Sequence, residues 1–284
     1  MSDQQALPEV AATDAPPEIR AIYDQIMQAT SVGSPALIYR HVAVFPGFLE
    51  WVWQLAGPEI ESGHVVRHAL AAVDRVPTIT LPPITPAVFA ETGVDAESQK
   101  TVRAMIDTYN RMNPVNLALF TTIRAILDPR AAPPVGDTSL PDAPPAPEAD
   151  PIPLPAPVDV SAMPEDLRKT VRALSSTIPI PEGAAVTPTL YRHFAIWPDF
   201  MRHLAPGLQS ALDDGSIAAA MKQTIQELQP LIDDIRRRAA SRNLPPPPLE
   251  KPLAMAHTID SFLVMIPQLI VVGRALDAAI GARH

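Results

Sequence analysis

The sequence contains no cysteine, which excludes disulfide bonds, thiolate metal sites and a cysteine nucleophile. Glycine is scarce at 11 residues, whereas proline is abundant at 35. Because β-turns consume glycine, this balance disfavours a fold rich in sheet. Aromatic residues are few at 5%, but a hydrophobic content of 47% is ordinary for a globular chain and allows a core to form.

Positively charged residues are fewer than negatively charged ones: the chain has 22 lysines and arginines and 31 aspartates and glutamates, which gives a net charge of −9. The arginine cluster at residues 236–238 directly follows two aspartates, so no basic surface for nucleic acid is predicted. The longest apolar run, residues 261–272, is too short to cross a bilayer and contains Pro267. The first residues do not resemble a secretory signal, and no phosphate loop or metal motif occurs. We therefore expect a cytoplasmic protein with no cofactor, no metal, no nucleic-acid partner and no membrane partner.

Two stretches of the chain nearly repeat each other: LIYRHVAVFP at residues 37–46 and TLYRHFAIWP at residues 189–198. A Leu-Pro pair stands upstream of each stretch, at residues 7–8 and at residues 154–155. Anchors that recur in the same order predict an internal duplication.

Proline and alanine dominate the segment between the two halves, which should run extended over the surface as a semi-rigid tether. We predict an N-terminal helical repeat over residues 1–129, a linker over residues 130–153 and a C-terminal helical repeat over residues 154–284. Apolar residues recur with helical spacing in both halves. The prediction is therefore an all-α fold made of two tandem, pseudo-symmetric repeats.

Proline also predicts where some helices break. Pro46 should kink or divide the helix that contains the first Tyr-Arg-His, and Pro114 should mark a break or the start of another helix. A further helix is predicted over residues 59–75.

Three segments of the chain carry a resemblance to a known family: LPEVAATDAPPEIRAIYDQI, YRHVAVFPGFL and YNRMNP. In the order and spacing of these segments, most of the chain resembles the group I DL-2-haloacid dehalogenases, the DehI family. The resemblance implies an all-α pseudo-dimer with a small-molecule cavity between its repeats, which can dimerise again. It also implies hydrolytic removal of halide from 2-haloacids, in which an aspartate activates the attacking water and an asparagine helps to position the reactants.

Carried over residue by residue, the resemblance places the family's asparagine at Asn113 and a family serine at Thr189, which keeps the hydroxyl. The catalytic aspartate falls on Leu190, and aromatic pocket residues fall on Ser34 and Leu37. Because leucine cannot act as a general base, we expect a divergent member with little dehalogenation of the family's kind.

The two Tyr-Arg-His motifs admit two interpretations. In one, Tyr39 and Tyr191 pack in the core while Arg40 and Arg192 pair with carboxylates or cap helices. In the other, the two motifs face each other, and these four residues converge on one anionic ligand, since arginine binds carboxylates bidentately and tyrosine is a neutral donor. Adjacent residues of a helix diverge by about 100°, so only one or two residues of each motif can face a common cavity.

The sequence thus predicts a small-molecule ligand, such as a carboxylate, and substrate-binding roles for Asn113, Thr189 and the two Tyr-Arg pairs. One hypothesis is a divergent enzyme, a hydrolase if active, that acts on a small organic acid. The alternative is a ligand-binding or scaffold protein without catalysis, and a further alternative is a true 2-haloacid dehalogenase that uses another acid. A homodimer is compatible with all three.

Overall fold

The computed structural model describes residues 7–128, 130–131, 140–149, 151–175 and 186–281. All regular structure in these ranges is helical, so the predicted all-α class is confirmed. The α-helices of the described residues are α1 (Pro17–Thr30), α2 (Leu37–Val42), α3 (Phe48–Glu61), α4 (His64–Asp74), α5 (Pro86–Glu91), α6 (Ala96–Leu127), α7 (Glu165–Ala173), α8 (Thr189–Phe194), α9 (Pro198–Asp213), α10 (Ser216–Ser241) and α11 (Pro252–Ile280).

Two long helices form the centre of the molecule. α6 has 32 residues and α11 has 29, and they pack against each other while α10 and α4 cover α6. Among the described residues, α11 is the one helix long and apolar enough to cross a membrane, but 67% of its most apolar window is buried inside the protein. Such burial is typical of a helix in the core of a protein.

The helices of the two halves follow a similar order. α1, α2, α3, α4 and α6 correspond in sequence of elements to α7, α8, α9, α10 and α11, and residues 242–251 hold no counterpart of α5. Both central helices contain an internal proline, Pro114 in α6 and Pro267 in α11. The duplication and its boundaries stay predictions, and linker residues 132–139 and 150 lie outside the described residues.

Proline and glycine set the helix breaks of the first half. Pro46 lies between α2 and α3, as predicted, and Gly47 adopts a φ of 74° just before α3 begins. The helix predicted over residues 59–75 begins later, at His64, because Gly63 adopts a φ of 71° and closes the preceding turn. Glycine takes this left-handed conformation with little strain, which is why the break falls there.

Pro114 does not break a helix, contrary to the sequence-based prediction. α6 continues through it from Ala96 to Leu127, and every residue from 111 to 120 is buried. An internal proline costs a helix about 3 kcal/mol. Burial of a whole turn on every side outweighs that local cost, so tertiary packing overrides the proline signal.

The linker is held against the first half. Arg111 is buried and donates hydrogen bonds to the carbonyls of Pro147 and Glu148, at 2.9 and 3.0 Å. Gly33 lies directly beneath the chain further on, where an added Cβ would overlap the Ile152 carbonyl and approach the Pro153 nitrogen to 2.8 Å. The described part of the tether is therefore extended, as predicted, and seated on the helices rather than free of them.

Replacement of Gly33 by alanine should loosen this tether. Because the new Cβ meets backbone that has no room to rotate away, we expect Gly33→Ala to increase the rate of proteolytic cleavage within residues 140–153. Gly63→Ala is the matched control, because it strains a positive φ but has no atom within 4 Å of the added Cβ. Limited proteolysis followed by mass spectrometry measures the cleavage site, and equal linker protection in both variants would contradict the predicted seating.

Candidate functional site

A cavity of about 520 Å³ lies between the two central helices and the two short motif helices. Its walls come from α2, α6, α8 and α11, and from two non-helical segments. We call these segments the N-terminal strap (residues 7–13) and the central strap (residues 154–158). The volume is in the usual range for a small-molecule site.

One wall of the cavity is apolar. It is formed by a stripe on α11 with helical spacing, together with one residue of α6 and two of α2: Phe262, Met265, Ile266, Leu269, Met112, Leu37 and Ile38. The lining also carries polar groups from α2, α6 and α8, so a ligand with an apolar body and a polar head fits the cavity.

The first Tyr-Arg-His motif holds the N-terminal strap. The His41 ring nitrogen Nδ1 lies 2.7 Å from the Pro8 carbonyl oxygen. Because that oxygen can only accept, Nδ1 carries the hydrogen. The Val10 amide donates to the Arg40 carbonyl at 2.9 Å, which fixes the strap to the end of α2.

The second motif holds the central strap in the same way. His193 donates from Nε2 to the Pro155 carbonyl at 2.9 Å, and the Val158 amide donates to the Arg192 carbonyl at 3.2 Å. The repeated histidine therefore has a structural task in both halves: it binds the carbonyl of the strap proline.

The repeated tyrosines lie in the core. Tyr39 and Tyr191 are fully buried, and Tyr39 packs edge-on against Phe120 with ring centroids 5.4 Å apart. Neither tyrosine is among the residues that line the cavity, and neither hydroxyl has a hydrogen-bond partner among the described residues. Burial raises the pKa of both phenols well above the ordinary value, because a phenolate there would be desolvated.

The repeated arginines both line the cavity. Arg40 makes an ion pair with Glu9 of the N-terminal strap, with 3.2 Å between Nη1 and Oε1. Arg192 donates from Nε to the Val158 carbonyl at 3.0 Å, but no carboxylate of the described residues lies within 4.0 Å of its guanidinium. The exposed Asp159 interacts with it only at longer range and is hydrogen-bonded to Ser161.

A tyrosine that sequence reasoning missed completes the polar side. The Tyr109 hydroxyl lies 2.9 Å from Nδ1 of His193. Since Nε2 of His193 donates to Pro155, a neutral ring leaves Nδ1 as an acceptor, and Tyr109 must donate to it. Burial, together with the charges of Arg192 and Arg40, lowers the pKa of His193 to about 4 despite the opposing hydrogen bond to Pro155, so the neutral ring is the form at neutral pH.

Thr189 lies beside Tyr109. Burial raises the pKa of the Tyr109 phenol, while a hydrogen bond from the Thr189 side chain acts in the opposite direction. Tyr109 belongs to the segment YNRMNP, which the sequence analysis singled out. Its partner His193 lies on α8, 84 residues away, and no local sequence pattern connects the two.

Two asparagines of α6 line the cavity one turn apart. Asn113 and Asn116 are 5% and 1% exposed, and Nδ2 of Asn113 and Oδ1 of Asn116 are buried without a hydrogen-bond partner among the described residues. A buried amide that lacks a partner is costly unless a ligand or a water satisfies it. These atoms therefore mark where a polar ligand group would bind.

The position that the resemblance assigned to the catalytic aspartate does not face the cavity. Leu190 is 0% exposed and is absent from the lining, whereas its neighbour Thr189 lines it. Of the described residues that line the cavity, Glu9 is the one carboxylate, and it is paired with Arg40. No group of acids and histidines suited to a metal occurs among the described residues.

Fold and cavity together define an all-α protein with a cavity of small-molecule size, and the solved structures similar to it include D-2-haloacid dehalogenases. A D-2-haloacid dehalogenase mutant in complex with D-2-CPA superimposes with a TM-score of 0.70 at 17% identity, over 98% of this chain and 99% of that one. A D-2-haloacid dehalogenase with L-LA gives 0.69 at 16% identity, over 99% and 98%. No protein-family profile and no curated protein sequence matches the chain. The chain therefore has the 2-haloacid dehalogenase fold, and the resemblance inferred from its sequence is confirmed at that level.

The neutral state of His193 predicts a pH dependence of stability. Its pKa is about 4 in the folded protein and about 6.5 when unfolded, so the unfolded chain takes up the proton first as the pH falls. We expect the free energy of unfolding to fall between pH 7 and pH 4, with His193 contributing up to about 3 kcal/mol of the loss. Urea titrations of the natural protein and of His193→Gln measure this, and parallel pH profiles would contradict it.

Adjacent aspartate substitutions separate the core position from the cavity position. Leu190→Asp buries a carboxylate without a partner and should lower the free energy of unfolding by about 3 kcal/mol. Thr189→Asp is partly solvated and lies on the side of the two arginines, so we expect a loss of about 1 kcal/mol or less. Thermal and urea unfolding of both variants test the assignment, which an equal loss would overturn.

Proposed function

We propose that the chain binds a small organic acid in this cavity, with the Arg192 guanidinium receiving the carboxylate. The observation that carries the proposal is a cation on the lining of a half-enclosed cavity that no described carboxylate neutralises. Arginine presents two parallel donors to a carboxylate, and such charge-assisted pairs are stronger than neutral hydrogen bonds.

The remaining polar groups of the lining suit the rest of such a ligand. Thr189 can accept a hydrogen bond from a ligand hydroxyl, and the unpartnered amide atoms of Asn113 and Asn116 can bind a carboxylate oxygen and a hydroxyl. The apolar stripe of α11 would receive a short carbon chain. The similar solved structures support a small organic acid as the ligand, because they are D-2-haloacid dehalogenases.

The lining supports binding better than hydrolysis of the family's kind. Activation of an attacking water needs a base with a free lone pair within reach. Both nitrogens of His193 are committed to hydrogen bonds, and Leu190 lies in the core. We infer a protein that binds small organic acids without releasing halide from them.

A second candidate function rests on Glu9. It is the one carboxylate on the part of the lining that the structure describes, so it is the candidate base for a 2-haloacid dehalogenase that uses another acid. Its pairing with Arg40 occupies the oxygen Oε1 that faces the guanidinium.

Binding is measured by isothermal titration calorimetry with both enantiomers of 2-chloropropionate and of lactate. We expect saturable binding that Arg192→Gln weakens by about 10-fold to 100-fold, because a charge-assisted hydrogen bond contributes about 1.5–3 kcal/mol. Arg172→Gln is the matched control, because Arg172 is exposed on α7 and lies outside the cavity. Equal affinity in the natural protein and Arg192→Gln would overturn the proposed role of Arg192.

Halide release from the same chloropropionates decides between the two candidates. We expect none from the natural protein. Release that disappears in Glu9→Gln would establish the second candidate in place of the first, and release that persists in Glu9→Gln would contradict both.

A further inference from the structure

The arginines of the two Tyr-Arg-His motifs differ in their ion pairing. Each Tyr-Arg-His motif places its arginine at the cavity and binds the strap that carries a Leu-Pro pair. The residue after that pair is Glu9 in the N-terminal strap and Ala156 in the central strap. Glu9 pairs with Arg40, whereas alanine stands at the corresponding position of the central strap and no described carboxylate pairs with Arg192.

This single difference sets the charge of the cavity. Arg40 and Arg192 supply two positive charges, and Glu9 removes one of them. Tyr109 and His193, which also line the cavity, are neutral. The described lining therefore carries one net positive charge, which one carboxylate balances.

We propose that Glu9 determines the specificity of the cavity by acting as a built-in second carboxylate, so that the site accepts monocarboxylates and rejects dicarboxylates. The inference rests on the proposed function and names its substrate class. A dicarboxylate that placed one end on Arg192 would bring the other toward a guanidinium that is already paired. Its second charge would then be desolvated beside Glu9, and an unpaired buried charge next to a like charge is strongly unfavourable. Rejection by an opposing charge is a general route to specificity.

The geometry leaves room for the larger ligand once Glu9 is neutral. A cavity of about 520 Å³ exceeds the needs of a three-carbon acid, so volume alone does not exclude a dicarboxylate of four or five carbons. Glu9 is also well placed to change, because its side chain is 34% exposed on a strap and does not support the core.

The first test is calorimetry with lactate, malonate, succinate and glutarate on the natural protein and on Glu9→Gln. We expect the natural protein to bind lactate and to bind each dicarboxylate more weakly. Glu9→Gln should strengthen binding of at least one dicarboxylate by about 10-fold or more, with a smaller change for lactate. Glu61→Gln is the control, because Glu61 is exposed at the end of α3 and lies outside the cavity.

The reciprocal test places the missing carboxylate on the other strap. Ala156 is exposed, so a longer side chain has space there. Ala156→Glu should neutralise Arg192 and abolish binding of lactate, whereas Ala156→Gln has the same size without the charge and should retain it. Circular dichroism melts of both variants establish that they are folded, and equal loss of binding in the two would contradict the charge argument.

The outcomes separate this inference from the proposed function. Binding of lactate by the natural protein with no gain of dicarboxylate binding in Glu9→Gln would overturn the role of Glu9 and leave the proposed function standing. Failure of the natural protein to bind any monocarboxylate would overturn both.

Discussion

The cavity depends on two hydrogen bonds from histidine rings to the carbonyls of strap prolines. His41 binds Pro8 and His193 binds Pro155, at 2.7 and 2.9 Å. Proline has no amide hydrogen and cannot anchor a strap through its own nitrogen, so its carbonyl is the available group. These bonds hold the straps against the helices, where both straps line the cavity and Glu9 pairs with Arg40. They also commit one nitrogen of each ring, which removes that nitrogen from acid–base chemistry.

Helical spacing divides the cavity into two chemically distinct sides. On α6, Tyr109, Asn113 and Asn116 follow at intervals of four and three, which places them on one face. On α11, the apolar lining runs with the same spacing from Phe262 to Leu269. The close packing of these two helices thus turns two sequence patterns into one polar and one apolar side. A ligand with a charged head and a short carbon body matches that division without any change of backbone.

The sequence was sufficient for the fold class, the break at Pro46 and the extended tether, because each depends on local chemistry. Adjacent residues of a helix diverge by about 100°, so the sequence predicted that only part of each motif could face the cavity. It could not predict which residue would do so, because that depends on how α2 and α8 are rotated about their axes. It could not foresee that α6 passes through Pro114, because tertiary burial decides that. Tyr109 and the Glu9–Arg40 pair were missed for a related reason: their partners lie 84 and 31 residues away.

A shared fold carries a shared cavity, but the charges on its lining decide what the cavity does. In this chain the helices supply a fixed frame, with one arginine from each half and the hydrogen-bonded pair Tyr109 and His193 on the lining. The straps supply the variable charge, because Glu9 pairs with Arg40 and Ala156 stands at the corresponding position of the other strap. Glu9 and Ala156 are both exposed, so a substitution at either position should cost little stability. Under the proposed role of Glu9, specificity changes on the straps while the helical frame stays the same.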